Sequence, residues 1–472
     1  MEIKPKVLPS KENFVEWYNK LLQVAEIADR RYPVKGTFVW LPYGFQIMKK
    51  IKEEWDKRFQ AHGIKEVYFP LFVPLKFAKQ NKKWFEGFKE ELFYVYDHKK
   101  KDLKLILRPT GEPGMYSTFQ NWIKDGILPI RIYQTVSSYR LEGKTTHTMI
   151  RDREITFWYE IHTVHKTKDE ADAEVELHKK IIDDLWKNVL NIEPVLVEKP
   201  VYEIFPGAEA ALEYYTLLPN GKLLENGSIN NLGQAYAKEF DLYYFENGEK
   251  KYVWQVCTGN GARYLVAVIS IHGDERGLVL PPKIAPIQII IIPIPKKGSE
   301  SKIFEKAEEL KAKLSKYFKV ELDYSDATPG EKFNIWDLKG VPIRIEVGLE
   351  EVKKNFVTVY RRDKKSKEKV EEKNLIKRLK QLLEKEIPEF LLEKSKKLWK
   401  EKVKWFEDYE KAKRWIEKGG VAKVNWCGSQ EDYEKVKAES LEFVGFLEEE
   451  KEGKCIICKK PTKKISLLGK VY

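Results

Sequence analysis

The chain predicts an α+β fold in several units, and three observations predict it. Its 472 residues exceed what one core of ordinary size organises, which points to about three domains at roughly 150 residues each. Residues from about 10 to 280 alternate short β-rich runs, among them Val67–Val73, Ile130–Val136 and Tyr264–Ile271, with helical stretches such as Lys168–Val189. Beyond Leu280-Pro281-Pro282-Lys283, where two prolines cannot continue a helix or a central strand, the pattern changes.

The first unit, 1–282, therefore reads as an antiparallel sheet with interspersed helices. The second, 283–373, alternates strand and helix as a small α/β domain. Its elements are Ile287–Ile292, Ser301–Tyr317, Lys319–Tyr324, Ile343–Val347 and Phe356–Tyr360. The third, 374–472, begins as a charged helical stretch, Asn374–Lys418, and ends in a segment from Gly419 that holds three of the four cysteines.

Composition narrows the function classes. Hydrophobic residues at 42% can fill sizeable cores, and a net charge of +13 favours a polyanionic partner as much as it favours a merely solvated basic surface. Four cysteines are too few for a disulfide framework at this length. No apolar leader follows Met1, and Ile289–Ile292 is far too short to span a bilayer, so the expectation is a cytoplasmic protein without a membrane partner.

Three charged clusters interrupt apolar segments. They are Arg108-Pro109-Thr110-Gly111-Glu112; Tyr139-Arg140-Leu141-Glu142 with Arg151-Asp152-Arg153; and Thr258-Gly259-Asn260-Gly261-Ala262-Arg263. A charge inside a buried strand is costly unless paired. Arg140 with Glu142, and Arg151 with Arg153, share a face if the segment is a strand, because strands repeat every two residues. Several guanidinium groups on one face suit a triphosphate, and Glu142 could accept from an amino group or hold Mg²⁺ through water. A solvated edge strand with cross-strand ion pairs is the other reading. Near the C-terminus, Cys427, Asp432, Cys455 and Cys458 offer four ligands for tetrahedral Zn²⁺; a metal-free segment with reduced thiols is the alternative.

In order along the chain, these segments resemble the signatures of class II aminoacyl-tRNA synthetases. Val67 to Pro74 is similar to motif 1 with Pro70 as its proline, Tyr139 to Phe157 to motif 2, and Gly259 to Arg263 to the start of motif 3. Within that class the chain resembles the prolyl-tRNA synthetases of the archaeal/eukaryotic type. The resemblance rests on Arg108 to Glu112, Phe205 to Glu209, Asn231 to Gln234, Ile271 to Pro282, Pro329 to Asn334, Lys339 to Gly348, and the tail with Asn425 to Ser429 and Tyr472.

The resemblance implies an antiparallel catalytic domain, an α/β anticodon-binding domain and a small zinc-binding-like tail. It implies that L-proline and ATP give a prolyl-adenylate, that tRNA(Pro) receives the prolyl group, and that the enzyme is a homodimer through the motif 1 region. Arg140 and Arg263 would act on the phosphates; Thr110, Glu112, Arg140, Trp158, Glu160, His162 and Asn230 would bind proline. Arg140, Glu142, Arg151, Arg153, Phe157, Glu225, Ser228 and Arg263 would bind ATP, with Phe157 on the adenine and Ile155 setting a competing register. Lys332, Arg344 and Glu346 would read the anticodon, with solvated surface charges as the alternative. The chain departs from the family pattern in having Asn230 for His, Glu225 for Gln, Gly111 for Ser, His147 for Arg and Asp432 for Cys. A synthetase for another amino acid and a weakly catalytic tRNA-binding paralogue are the competing functions.

Overall fold

The protein is described by a computed structural model covering residues 8–99, 102–143 and 145–472. Residues 1–7, part of the stretch read as lacking an apolar leader, lie outside the described residues.

Six antiparallel strands form the centre of the first unit: β1 (Ile130–Tyr139), β2 (Glu154–His165), β3 (Val195–Glu198), β4 (Ala210–Leu217), β5 (Lys222–Gly233) and β6 (Trp254–Asn260). They lie in the order β3-β4-β5-β6-β2-β1, and Lys65–Glu66 adds a short parallel edge beside β1. Helices α1 (Pro42–Ala61), α2 (Lys168–Asp184) and α3 (Arg263–His272) contribute to one large core through Ile47, Trp55, Ile181 and Leu265. Trp55, Tyr159, Trp186 and Tyr264 meet there, with Tyr264 about 5 Å from Trp186 and 5.8 Å from Trp55.

Two expected strands are not strands. Tyr264–Ile271 is α3, and every side chain from Tyr264 to His272 is buried. A helix that is apolar on all sides shows no amphipathic period, so the run could not be told from a buried strand by pattern alone. Val67–Val73 is interrupted: strand structure covers Lys65–Glu66 and Phe72–Pro74, while residues 67–71 are irregular.

The second unit is a five-stranded mixed sheet: β7 (Ile289–Pro293), β8 (Val320–Leu322), β9 (Ile343–Val347), β10 (Phe356–Arg361) and β11 (Ser366–Glu371), ordered β8-β7-β9-β10-β11. Helix α4 (Pro329–Lys339) shows why the sequence is local instruction. Thr328 and Glu331 close a capping box, Pro329 takes the first turn, and Gly340 ends the helix at φ +69. A side chain at Gly340 would also strike the Leu278 backbone at 2.5 Å, so this glycine sets how closely the two units dock. Leu278 N donates to Leu338 O at 3.0 Å, and Leu280 N to Gly340 O at 3.2 Å. Arg362 grips Asp274 through two bonds of 2.6 and 2.8 Å.

The boundary expected at residue 374 cuts through a core. Leu375, Leu379, Leu382, Leu383, Ile387 and Leu391 pack into the apolar interior of the second unit. The tail is likewise no separate sheet: Val403–Trp405, Val421–Asn425, Pro461–Val471 and Glu442–Lys454 extend the catalytic sheet beyond β3, and the last of the chain pairs in parallel with β5 at Leu223↔Val471. Leu379→Ala should destabilise the second unit by about 2–5 kcal/mol. Denaturant titration of the full chain measures it, and a loss under about 1 kcal/mol would place the helix outside that core.

Candidate active site

Strand register builds the floor of a polar cleft. Asn230 on β5 pairs with Cys257 on β6, which pairs with His162 on β2; one row along, Ser228, Gly259, Glu160 and Gln134 cross β5, β6, β2 and β1. Trp158, Glu160 and His162, two residues apart, face the same cavity of about 320 Å³. The cavity also receives Thr110 and Glu112, the latter opening helix Glu112–Lys124, and Arg140, Glu142, Arg151, Glu225, Ser228 and Arg263.

Glu160 organises the floor. Its carboxylate accepts from Gly111 N at 2.8 Å, Gln134 Nε2 at 2.7 Å and Thr110 Oγ1 at 3.4 Å, with His162 Nε2 3.6 Å away. Burial alone would raise its pKa; the facing imidazole, the Gln134 amide and the charge of Arg108 outweigh burial and hold it at about 2. A Cβ at residue 111 would lie 2.9 Å from both Glu160 oxygens, so a larger residue there would displace that carboxylate. By contrast Glu112 Oε2, His162 Nε2 and Asn230 Oδ1 are buried without a hydrogen-bond partner. Burial pushes the Glu112 carboxyl above its ordinary value.

Arg140 lies between the rings of Phe88 and Trp158, each 5.3 Å from the guanidinium carbon, and donates through Nε to Pro109 O at 3.1 Å. Arg263 donates to Ile150 O and Glu225 O at 2.9 and 2.8 Å, and its guanidinium pairs with the Glu225 carboxylate. The site thus holds two fixed cations, Arg140 and Arg263, the second paired directly with the Glu225 carboxylate.

Three expectations need correction. Arg140 and Glu142 do not share a strand face, because β1 ends at Tyr139 and β2 begins at Glu154; an irregular loop carries them. Arg153 does not line the cavity but donates to Glu142 O at 3.2 and 3.3 Å, bracing that loop. Phe157 turns away from the cavity to meet Trp40 and Phe45 at ring distances of 5.6 and 5.4 Å, and Ile155 faces in. Phe157 faces away because it neighbours the inward Trp158 on an alternating strand, whereas Ile155 faces in because of a bulge: Val136 pairs with Trp158 and Ser138 with Ile155, so β2 spends three residues where β1 spends two, and Phe157 takes φ +52.

Several lining residues were not anticipated: Phe88, Glu91, Asp152, Glu213 and Cys257. Glu213 follows from alternation along β4 only once that strand is paired with β5. Burial raises both Asp152, to about 8, and Glu213, the latter also under the charge of Glu225.

Elsewhere, Cys427 Sγ lies 3.5 Å from Cys458 Sγ and 3.4 Å from Asp432 Oδ2, and Cys455 Sγ lies 3.3 Å from the same oxygen. In the second unit, Lys332, Arg344 and Glu346 are buried at 3%, 5% and 5% exposure. Arg344 pairs with Asp337 and Glu346 at 3.0 Å each, and Lys332 with Asp323 at 3.5 Å. Neither base reading nor a solvated surface anticipates that burial.

Comparison with known proteins agrees with this geometry. The tRNA synthetase class II core domain (G, H, P, S and T) matches residues 93–272, the anticodon binding domain 288–382, and the prolyl-tRNA synthetase C-terminal domain 409–472. The proline--tRNA ligase of Methanobrevibacter smithii is 39% identical, covering 98% of this chain and 100% of its own. That of Pyrococcus abyssi is 38% identical, with 98% of each chain covered. The chain belongs to the prolyl-tRNA synthetase family. The solved Giardia lamblia prolyl-tRNA synthetase in complex with prolyl-adenylate superposes with a TM-score of 0.92 at 31% identity, covering 99% of both chains. This fold is the expected one: an antiparallel class II catalytic sheet followed by an anticodon-binding domain and the family's C-terminal domain.

Because the folded protein holds Glu160 ionised well below its ordinary 4.5, that carboxylate adds about 3 kcal/mol of stability at neutral pH. The sign is that of a depressed acid: the contribution is full above 4.5 and fades as the pH falls towards 2. Glu160→Gln should therefore be clearly less stable than the parent at pH 7, and thermal melts should show the gap closing between pH 4.5 and 2. A gap independent of pH would remove the carboxylate from this role.

Proposed function

We infer that the protein joins L-proline to tRNA(Pro) in two ATP-driven steps. What carries this reading is the cavity itself: Arg140 and Arg263 flank a space whose floor is a row of buried, unpartnered polar atoms, in a chain similar from end to end to proline--tRNA ligases.

In the first step the proline carboxylate attacks the α-phosphorus of ATP and pyrophosphate leaves. Glu112, with its unpartnered oxygen, and Thr110 receive the ammonium group. Trp158, His162 and Asn230 enclose the ring, and Glu160 holds Thr110 and the 111 backbone in place. Arg140, positioned by Phe88, Trp158 and Pro109 O, spans the carboxylate and the α-phosphate, where charge accumulates in the transition state. Arg263 takes the γ-phosphate in exchange for Glu225. Ile155, rather than Phe157, covers the adenine, with Glu142, Arg151 and Ser228 around the nucleotide; Arg153 acts through the loop it braces. No side chain is needed as general base, because the nucleophile is already ionised and requires positioning.

Mg²⁺ fits beside Glu213 and Glu225, two carboxylates whose mutual repulsion a divalent cation would relieve, and when bound it would neutralise phosphate charge. In the second step a 3′-terminal hydroxyl of the tRNA attacks the adenylate. The basic excess of +13 suits that partner. Anticodon contact by Lys332, Arg344 and Glu346 requires the bases to displace the internal ion pairs that now hold these side chains.

Two further assignments complete the reading. The Cys427–Asp432–Cys455–Cys458 cluster fits structural zinc: a tetrahedron with 2.3 Å zinc–sulfur bonds has edges of about 3.8 Å, close to the 3.3–3.5 Å separations present. A two-fold dimer through the 67–74 segment would cover Tyr68 and Phe72, which are 76% and 52% exposed. No helix among the described residues is long and apolar enough to cross a membrane, and we place the reaction in the cytoplasm.

Arg140→Ala should lower proline-dependent ATP–pyrophosphate exchange by about 100-fold or more while leaving the melting curve intact. The same assay run across the standard amino acids tests the substrate, and a stronger response to any amino acid other than proline defeats the reading. Native mass spectrometry tests the other two assignments together. It should find twice 55.6 kDa with at least one zinc per chain; a metal-free monomer with full activity counts against both.

A further inference from the structure

The floor of the cavity holds a second cluster with metal-ligating chemistry. A Glu112 carboxylate oxygen, a His162 ring nitrogen and Cys257 Sγ lie within 4.8 Å of one another, and all three residues are buried. They come from independent elements. His162 and Cys257 are directly paired across β2 and β6, and Glu112 opens the helix packed above them. Cross-strand pairing fixes two donors side by side without help from any loop.

The state of these atoms points to a ligand. Glu112 Oε2 and His162 Nε2 have no hydrogen-bond partner although both are buried, Glu160 Oε2 standing 3.6 Å from Nε2 and short of a hydrogen bond, a condition that costs free energy in the empty protein. The Tyr116 hydroxyl sits 3.1 Å from His162 Nδ1 and orients the ring with Nε2 turned inward, as an outer partner does for a metal-bound imidazole. Asn230 Nδ2 approaches Cys257 Sγ at 3.6 Å and steadies it. Thiolate, imidazole and carboxylate together favour a soft or borderline divalent ion over magnesium, and three protein ligands leave a fourth position open.

We propose that Glu112, His162 and Cys257 form a binding site for zinc and similar divalent cations inside the amino-acid pocket, and that the cation and the amino acid exclude one another. Bonds form from the metal to one sulfur, one nitrogen and one oxygen. The Cys257 thiol proton leaves to solvent, and no electron is transferred. The cation would occupy the space that Glu112 otherwise offers to an ammonium group, so occupancy sets the enzyme's sensitivity to free zinc. The exclusion rests on reading this cavity as the amino-acid site; the metal site does not.

The test uses the full chain, stripped with a chelator and titrated with Co²⁺ in the absence of ATP and pyrophosphate, which themselves bind metal. Thiolate-to-cobalt absorption should saturate at two equivalents, one in the tail cluster and one in the pocket. Cys257→Ser, which keeps the side-chain size, should remove one equivalent, and Cys458→Ser should weaken the other. Saturating L-proline should raise the apparent dissociation constant of the Cys257-dependent equivalent at least tenfold. Saturation at one equivalent in both parent and Cys257→Ser, or a second equivalent that survives Cys257→Ser, overturns the site. A Cys257-dependent equivalent that no standard amino acid displaces leaves the site standing, and overturns both the exclusion and the reading of the cavity as the amino-acid pocket.

Discussion

Charges gathered at the centre of a sheet lose their water, and only partners supplied by the fold can offset that loss. This constraint shapes the catalytic unit. Glu160 is satisfied by groups from two segments: Gln134 on β1 and the 110–111 turn before a helix. Arg140 is flanked by two rings, and Arg263 is tied to Ile150 and Glu225. Where the fold supplies no partner, at Glu112 Oε2, His162 Nε2 and Asn230 Oδ1, the deficit faces the cavity. A ligand that completes these bonds gains what the empty protein forgoes, so the pattern of satisfied and unsatisfied groups outlines the site.

Much of the site was legible in the sequence because strand chemistry is periodic. Trp158, Glu160 and His162 fall on one face by simple alternation, and Thr110, Glu112, Arg140, Asn230 and Arg263 all reach the same cavity. Phe157 neighbours the inward Trp158 and so faces the other side, while one extra residue in β2 turns Ile155 rather than Thr156 inward, and no composition rule marks a bulge whose left-handed residue is a phenylalanine. The helix from Arg263 was hidden for the opposite reason: burial on every side erases the period that identifies helices. Cys257 carried no signal alone; its place depends on register across three strands.

Longer-range organisation was less legible. The double proline at 281–282 precedes the Ile289–Pro293 strand, which lies beside Ile343–Val347 as a small α/β core requires. Charge density in the stretch from 374 suggested an independent helical element, yet its leucines complete the neighbouring core. A strongly charged helix still buries one stripe, and which core receives that stripe is a tertiary fact. The same holds for the tail, whose final strand returns to β5 and fixes Tyr472 against Asn220 and Lys222.

The departures from the family pattern make local physical sense. Gly111 leaves the Glu160 carboxylate room to sit 2.8 Å from the backbone amide; a Cβ there would lie 2.9 Å from both carboxylate oxygens and push them aside. Asp432 presents one oxygen at 3.3–3.4 Å from two of the three thiols, which preserves the number of ligands while changing one donor from sulfur to oxygen. Glu225 adds a negative charge beside Arg263 and Glu213, so in the empty site the guanidinium is already neutralised, whereas a neutral amide would leave it more exposed to any anion. Asn230 is smaller than the histidine it replaces, donates to Ser228 at 3.0 Å, and reaches Cys257 rather than filling the floor. Of these changes only Asn230 touches the group in which a thiol, an imidazole and a carboxylate face each other, through its contact with Cys257.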